Sequence, residues 1–169
     1  MLVLRPATQS DISVIHDVTQ AAYADCRSRL PYSSIWQETP AAIADELNLG
    51  PIFLAFVNAA LVGSVRCHSR SGGELWNQFM YVHRLAVLPA YRQQGIGRTL
   101  MQAVENLAQD SGLEWVCLEV RAAQPENQQF YEKLGYTLGS VSGYLPTGAV
   151  RSFWMSKALM PKALMPKAL

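Results

Sequence analysis

The chain has 169 residues, 50% of them hydrophobic and 16% charged, with a formal net charge of +1. A chain of this size can bury a substantial core in one domain. The near-neutral balance, with no Lys/Arg run, excludes the electrostatic footprint of a protein that binds nucleic acid or an anionic membrane.

Taken in order, Leu2 to Arg5 reads as a first strand stopped by Pro6. Ser10 or Asp11 can cap a helix running to about Ala24, with Ile12, Ile15 and Val18 on its inner side. After a mixed segment, Thr39-Pro40 starts a short helix through Leu47, with proline at the first position and Gly50 beyond the end. Ile52 to Val57 and Leu61 to Cys67 form a hairpin around Asn58-Ala-Ala60. A Ser-Gly-Gly turn at 71 to 73 leads into a long apolar strand, Phe79 to Leu88. An amphipathic helix follows from Ile96 to Ala108, with apolar residues at Ile96, Leu100, Met101, Val104, Leu107 and Ala108. Gly112 breaks to a strand, Trp115 to Val120, and Pro125 begins a helix closed by Gly135. Two last strands, Tyr136 to Tyr144 and Val150 to Lys157, complete the domain. The order implies a mixed, mostly antiparallel α/β sheet with helices on both faces, and no linker divides it.

Cys26, Cys67 and Cys117 are odd in number and widely spaced, which reads as buried thiols and not as disulfides or metal ligands. His16, His68 and His83 lack metal-ligand spacing, so no metal is expected. The opening Met-Leu-Val-Leu-Arg-Pro has no basic and long apolar region of a signal peptide. No stretch approaches the ~18 apolar residues of a membrane span, and the expected location is cytoplasmic.

The junction between the long strand and its helix carries the chemistry. Arg92 to Gly97 reads Arg-Gln-Gln-Gly-Ile-Gly. A glycine-bearing turn opening a helix presents unpaired amides at the positive end of the dipole, and that makes a cradle for phosphate. Arg92 and Arg98 flank it and can add charge-assisted contacts. A dinucleotide fingerprint needs a third glycine and a P-loop needs Gly-Lys-Ser/Thr, and both are missing.

The string Leu-Ala-Val-Leu-Pro-Ala-Tyr-Arg-Gln-Gln-Gly-Ile-Gly-Arg-Thr-Leu, from 85 to 100, resembles the Arg/Gln-x-x-Gly-x-Gly/Ala cofactor segment of the GCN5-related N-acetyltransferase (GNAT) superfamily. Asn127 to Tyr136 resembles the family's second cofactor motif, with Tyr131 on a helix and a closing Gly-Tyr. Many relatives place an Asn seven residues before the Tyr. Here Gln124 stands there and Asn127 lies four before it. The resemblance implies a single GNAT-like domain over residues 1–159 with a splayed central strand pair. It also implies acetyl-CoA as cofactor and direct transfer of acetyl to a primary amine, either of a small molecule or of a protein N-terminus or lysine. A non-catalytic acyl-CoA-binding module stays open as the alternative.

On that resemblance, the cofactor would meet Leu85, Ala86, Val87, Arg92, Gln93, Gln94, Gly95, Ile96, Gly97, Arg98, Asn127 and Tyr131. Leu85 would give a backbone oxyanion donor, and Tyr131 would be the general acid. Relatives carry a Glu about four residues before the position of Leu85, where this chain has Tyr81. With no carboxylate between Glu74 and Glu105, His83 is the titrating candidate for the base and Tyr81 could order a water. Period-two alternation would put Tyr81, His83 and Leu85 on one face. Tyr32, Trp36 and Tyr144 are candidates for walls of the acceptor pocket. The acceptor is expected to be a small-molecule or peptide amine, nucleic acid and membrane are not expected partners, and a homodimer is left open. Residues 160–169 continue a Lys-Ala-Leu-Met-Pro repeat and read as an appended or disordered tail.

Overall fold

The computed structural model of the protein describes residues 1–71 and 78–159. The tail expectation, and most of the Ser-Gly-Gly turn, lie outside them. The elements are β1 (Leu2–Pro6), α1 (Ile12–Tyr23), α2 (Pro40–Leu49), β2 (Ile52–Val57), β3 (Ala60–Arg70), β4 (Phe79–Val87), α3 (Ile96–Asp110), β5 (Trp115–Arg121), α4 (Pro125–Glu132), β6 (Thr137–Tyr144) and β7 (Val150–Ala158). Local chemistry sets their ends. The Thr39 hydroxyl accepts from the Ala42 amide at 3.2 Å and caps α2, with Pro40 at its first position. Asn58 and Ala59 are both left-handed (φ 49 and 65), the conformation that a two-residue hairpin loop requires.

The start of α1 differs from expectation. Gln9–Asp11 forms a 3-10 turn, and Asp11 does not cap α1. Its carboxylate turns back to accept from the Thr8 amide (2.8 Å) and both terminal nitrogens of Arg5 (2.8 and 2.7 Å). The Arg5 hydrogen bonds, reinforced by those from Thr8, outweigh burial and hold Asp11 well below the usual carboxylate range.

Among the described residues the sheet has seven strands in the order β1-β2-β3-β4-β5-β7-β6. Pairs β1–β2, β2–β3, β5–β7 and β6–β7 are antiparallel; β4–β5 is parallel, with Met80, Tyr81 and Val82 opposite Val116, Cys117 and Leu118. The described residues condense into two compact units, 1–68 with 83–102, and 69–71 and 78–82 with 103–159. No linker joins them, because β3, β4 and α3 each pass from one to the other.

In the first unit, Ile52 and Leu54 of β2 pack on Ile15 and Val18 of α1 and Ile43 of α2. The opposite face of β3 meets the start of α3. A Cβ on Gly63 would lie 2.8 Å from the Ala86 carbonyl oxygen and 3.4 Å from Leu100, so this crossing accepts only glycine. Helices therefore cover both faces there. In the second unit, α3 contributes Glu105, whose carboxylate accepts from the Tyr136 hydroxyl (3.0 Å) and Lys157 Nζ (2.7 Å).

Leu54 is fully buried at the centre of the first core. Leu54→Ala should cost about 2–5 kcal/mol, the sum of lost transfer energy and an uncollapsed cavity. Urea unfolding at unchanged slope is the measurement.

Candidate active site

The turn before α3 is built by three devices. Gln93 (φ 60) and Gly95 (φ 81) are left-handed, the Gln94 side-chain Nε2 donates to the Ala90 carbonyl at 3.1 Å, and Thr99 ties back to the Gly95 carbonyl through its backbone amide (3.0 Å) and hydroxyl (3.1 Å). That Thr99 amide makes the first intrahelical bond, so the amides ahead of it face out along the helix axis. A Cβ on Gly95 would meet nothing within 4 Å. Open space, clustered amides and the positive end of a 15-residue helix suit the pyrophosphate of a coenzyme.

Arg92 does not flank the cradle with a spare charge. Its Nη1 donates to Asp25 Oδ2 (2.5 Å), its Nη2 to the Ala22 carbonyl (2.5 Å) and Asp25 Oδ1 (3.2 Å), and its Nε to the Val87 carbonyl (3.2 Å). Those bonds hold Asp25 below its ordinary value, against burial. Arg92 thus ties the end of α1 to the end of β4, while Arg98 stands exposed on the first turn of α3.

Strand β4 breaks its own alternation. Arg84 is left-handed (φ 54) within the strand, a conformation that acts as a bulge and turns the following side chains over. Before the break, His83 meets the ring of His68 edge-on at 5.5 Å, on the face of β3 that Ser64 and Arg66 share. After it, Val87 reaches the other face, against Gly63. Leu85 therefore leaves the face shared by Tyr81 and His83, and the expected triplet of side chains does not form. The Leu85 carbonyl accepts from the Tyr23 hydroxyl at 3.0 Å.

Beside the break lies a buried charge cluster. Arg66, 1% exposed, donates twice to Glu38 (2.9 and 2.7 Å) and once to Glu46 (2.7 Å). Arg84 Nε donates to Glu38 at 2.9 Å, and its Nη2 to the Ser34 hydroxyl at 2.9 Å. Burial pushes Glu38 up, but hydrogen bonds and charge from Arg66 and Arg84 prevail and leave it lowered. The same setting corrects the expected base. Burial first, then the charges of Arg66, Arg84 and His68, depress His83 to about 3. It stays neutral at pH 7 and holds a proton too weakly to draw one from an ammonium.

In the second unit a carboxylate that sequence reasoning missed stands beside Tyr81. Parallel pairing of β4 and β5 brings Glu119 to the Tyr81 hydroxyl, which donates to Oε1 at 3.4 Å. Glu119 Oε2 accepts from Ser142 (2.9 Å) and Ser152 (3.2 Å). One oxygen is anchored and the other is only lightly held. The available signal was a lone acid at position 119 in an otherwise apolar strand, Val116 to Val120. Tyr81 is further boxed by Arg70 over its ring (4.2 Å) and by Trp154 edge-on (5.9 Å). A cavity of about 630 Å³ opens alongside, lined in part by Arg70, Cys117, Ser140, Trp154 and Ser156.

Tyr131 is half-buried on α4, its ring edge-on to Phe130 (5.0 Å) and Tyr136 (5.7 Å). Of the two candidates for the family Asn, Gln124 is buried at the start of α4 and Asn127 is exposed. Of the acceptor candidates, Tyr32 and Tyr144 are both 63% exposed, and Trp36 donates its indole N–H to the Leu30 carbonyl at 2.6 Å with Arg27 over its ring. All three cysteines are buried free thiols, and burial raises Cys67 to about 12 and Cys117 to about 11, away from nucleophilic chemistry. No helix among the described residues is long and apolar enough to cross a membrane.

The profile of the acetyltransferase (GNAT) family matches residues 15–136, and the chain belongs to that family. N-alpha-acetyltransferase 30 of Schizosaccharomyces pombe is 31% identical over 86 residues, 50% of this chain and 55% of that protein. The chain thus spans about half the length of this curated relative. Among solved structures, the PaiA N-acetyltransferase of Thermoplasma acidophilum in complex with coenzyme A matches with a TM-score of 0.78 at 19% identity, over 94% of this chain and 99% of that one. Naa50 of Arabidopsis thaliana, in complex with the bisubstrate analogue CoA-Ac-MVNAL, matches with a TM-score of 0.72 at 18% identity, over 94% and 99%. At these identities the likeness is one of fold.

The lowered Glu38 sets an expectation for acid. Its contribution to stability is present above the unfolded value, about 4.3, and is lost as pH falls from there through the lower native value. Urea unfolding between pH 6 and 3 should show the natural protein losing more stability than Glu38→Gln, which has no carboxyl to titrate.

Proposed function

We propose that this protein moves an acetyl group from acetyl-CoA directly to a primary amine, with both substrates bound together. The observation that carries the reading is the cradle: left-handed Gly95, open space above it, and the amide-bearing start of α3. When bound, acetyl-CoA supplies an activated thioester carbonyl. Every other function falls to the chain. The amides from Gly95 to Arg98, with the Arg98 guanidinium, hold the phosphates. Leu85 to Val87, beyond the three paired positions of β4, offer backbone groups to the pantetheine arm, and the Leu85 N–H serves as the oxyanion donor.

An alkylammonium has a pKa near ~10.4 and must lose a proton before it attacks. Glu119 takes that task in this reading, directly or through a water that Tyr81 orders. Among the described residues its Oε1 carries only the long contact to Tyr81. This supplies the carboxylate whose lack on β4 favoured a non-catalytic reading. Tyr131 returns the proton to the departing thiolate, a role that rests on its position in the second family motif. The acceptor is an N-terminal or side-chain amine of a peptide, or a small amine. The naming of the Schizosaccharomyces pombe relative as an N-alpha-acetyltransferase supports the peptide N-terminus.

Thioester cleavage measured against a panel of peptides and small amines tests the transfer. No amine-dependent cleavage in a protein that binds acetyl-CoA would leave a binding module as the better account. Gly97→Asp puts a side chain and a negative charge at the cradle, so acetyl-CoA affinity measured by calorimetry should collapse in a protein that still folds. An undiminished affinity would refute the cradle as the phosphate site.

Glu119→Gln should lower kcat by about 10²–10⁴-fold at neutral pH, with the deficit shrinking as pH approaches that of the free amine. Tyr131→Phe should keep acetyl-CoA binding and lower kcat by about ten- to a thousand-fold, the scale of lost acid catalysis. Rate profiles between pH 6 and 10 separate the two variants. A Glu119→Gln profile displaced equally at every pH would argue against proton removal by Glu119.

A further inference from the structure

Four non-glycine residues are left-handed among those described: Asn58 and Ala59 in the hairpin loop, Gln93 in the cradle turn, and Arg84 inside a strand. Asn and Asp visit this region because a short polar side chain can bond locally, and arginine has no such reason. A bend of this kind persists only where its surroundings impose it. Here the surroundings grip the side chain at two atoms. Glu38 takes Arg84 Nε and Ser34 takes Nη2, both at 2.9 Å. Glu38 in turn cannot move, because Arg66 holds both of its oxygens in a site where the Glu38 side chain is 4% exposed.

We propose that Glu38 is a positioning residue for the transfer: acting through Arg84, it holds β4 in its left-handed bend and so aims the Leu85 N–H. The inference rests on the reading of that N–H as the oxyanion donor. The peptide plane that carries the N–H joins residues 84 and 85, so a change of backbone angle at Arg84 swings it as a rigid unit. The Tyr23 hydroxyl steadies the next plane by donating to the Leu85 carbonyl. An oxyanion donor acts only when it is held where the charge develops, and a displacement of about 1 Å can cost ~10²-fold in rate. A structural ion pair would have no need to meet the strand at its one distorted residue.

Glycine separates the two accounts. If the clamp works through the bend, Arg84→Ala should relax toward the extended region that L residues prefer, whereas Arg84→Gly can keep the bend unaided. If the arginine serves only stability, kcat should not follow the backbone angle at position 84, and the alanine and glycine variants should lose alike. The experiment compares Arg84→Ala, Arg84→Gly and Glu38→Gln in the full chain. It records kcat and the acetyl-CoA KM, and reads the backbone angle at position 84 from NMR couplings.

Arg84→Ala and Glu38→Gln should lose about 10- to 100-fold in kcat with little change in acetyl-CoA KM. Position 84 should leave the left-handed region in both. Arg84→Gly should recover most of kcat and stay left-handed. Equal losses in the alanine and glycine variants, or a bend that persists in Arg84→Ala, would overturn the proposal. Should Glu38→Gln fail to fold, the alanine and glycine pair decides alone. Should the natural protein bind acetyl-CoA but acetylate no amine, the proposed transfer fails, while the couplings still decide whether Glu38 and Arg84 hold the bend.

Discussion

One carboxylate, that of Glu38, organises the first unit. A buried carboxylate without partners is prohibitively costly, so its position obliges Arg66 and Arg84 to converge on it. Arg66 comes from β3, Arg84 from β4 and Glu38 from the segment ahead of α2, so three parts of the chain meet at one charge. The same constraint reaches His83. Burial, with positive charge from the two arginines added to it, pushes its imidazole far below the ordinary histidine range.

The second unit holds a carboxylate under the opposite regime. Glu119 accepts from the hydroxyls of Tyr81, Ser142 and Ser152, and no cation pairs with it among the described residues. An acid locked between guanidiniums is committed to architecture. Glu119 is held instead by neutral hydroxyls, two serines on one oxygen and Tyr81 at longer range on the other. Arginines sort in the same way: Arg92 is committed to Asp25 and two carbonyls, while Arg98 stands exposed on the first turn of the helix that opens the cradle.

Much of this was legible in the chain itself. Strand and helix positions followed from apolar periodicity and from punctuation by Pro40, Gly50, Pro125 and Gly135, and the observed elements begin and end within a few residues of them. The turn that opens α3 was legible too, because everything that makes it lies within one short run, from the end of a strand through Gly95 and Gly97 into a helix. Such features depend on neighbours close in sequence, and composition reports them directly.

Tertiary structure alone decided which distant groups meet. Strand order inserts β7 between β5 and β6, and parallel register sets Glu119 beside Tyr81 across 38 positions. The partner of Arg92 came from the end of α1, and the bend at Arg84 turned Leu85 off the face that simple alternation assigns it. Periodicity measures whether a side chain faces inward. It carries no information about which charge waits there, since that depends on sheet register and on ion pairs formed between segments far apart in the chain.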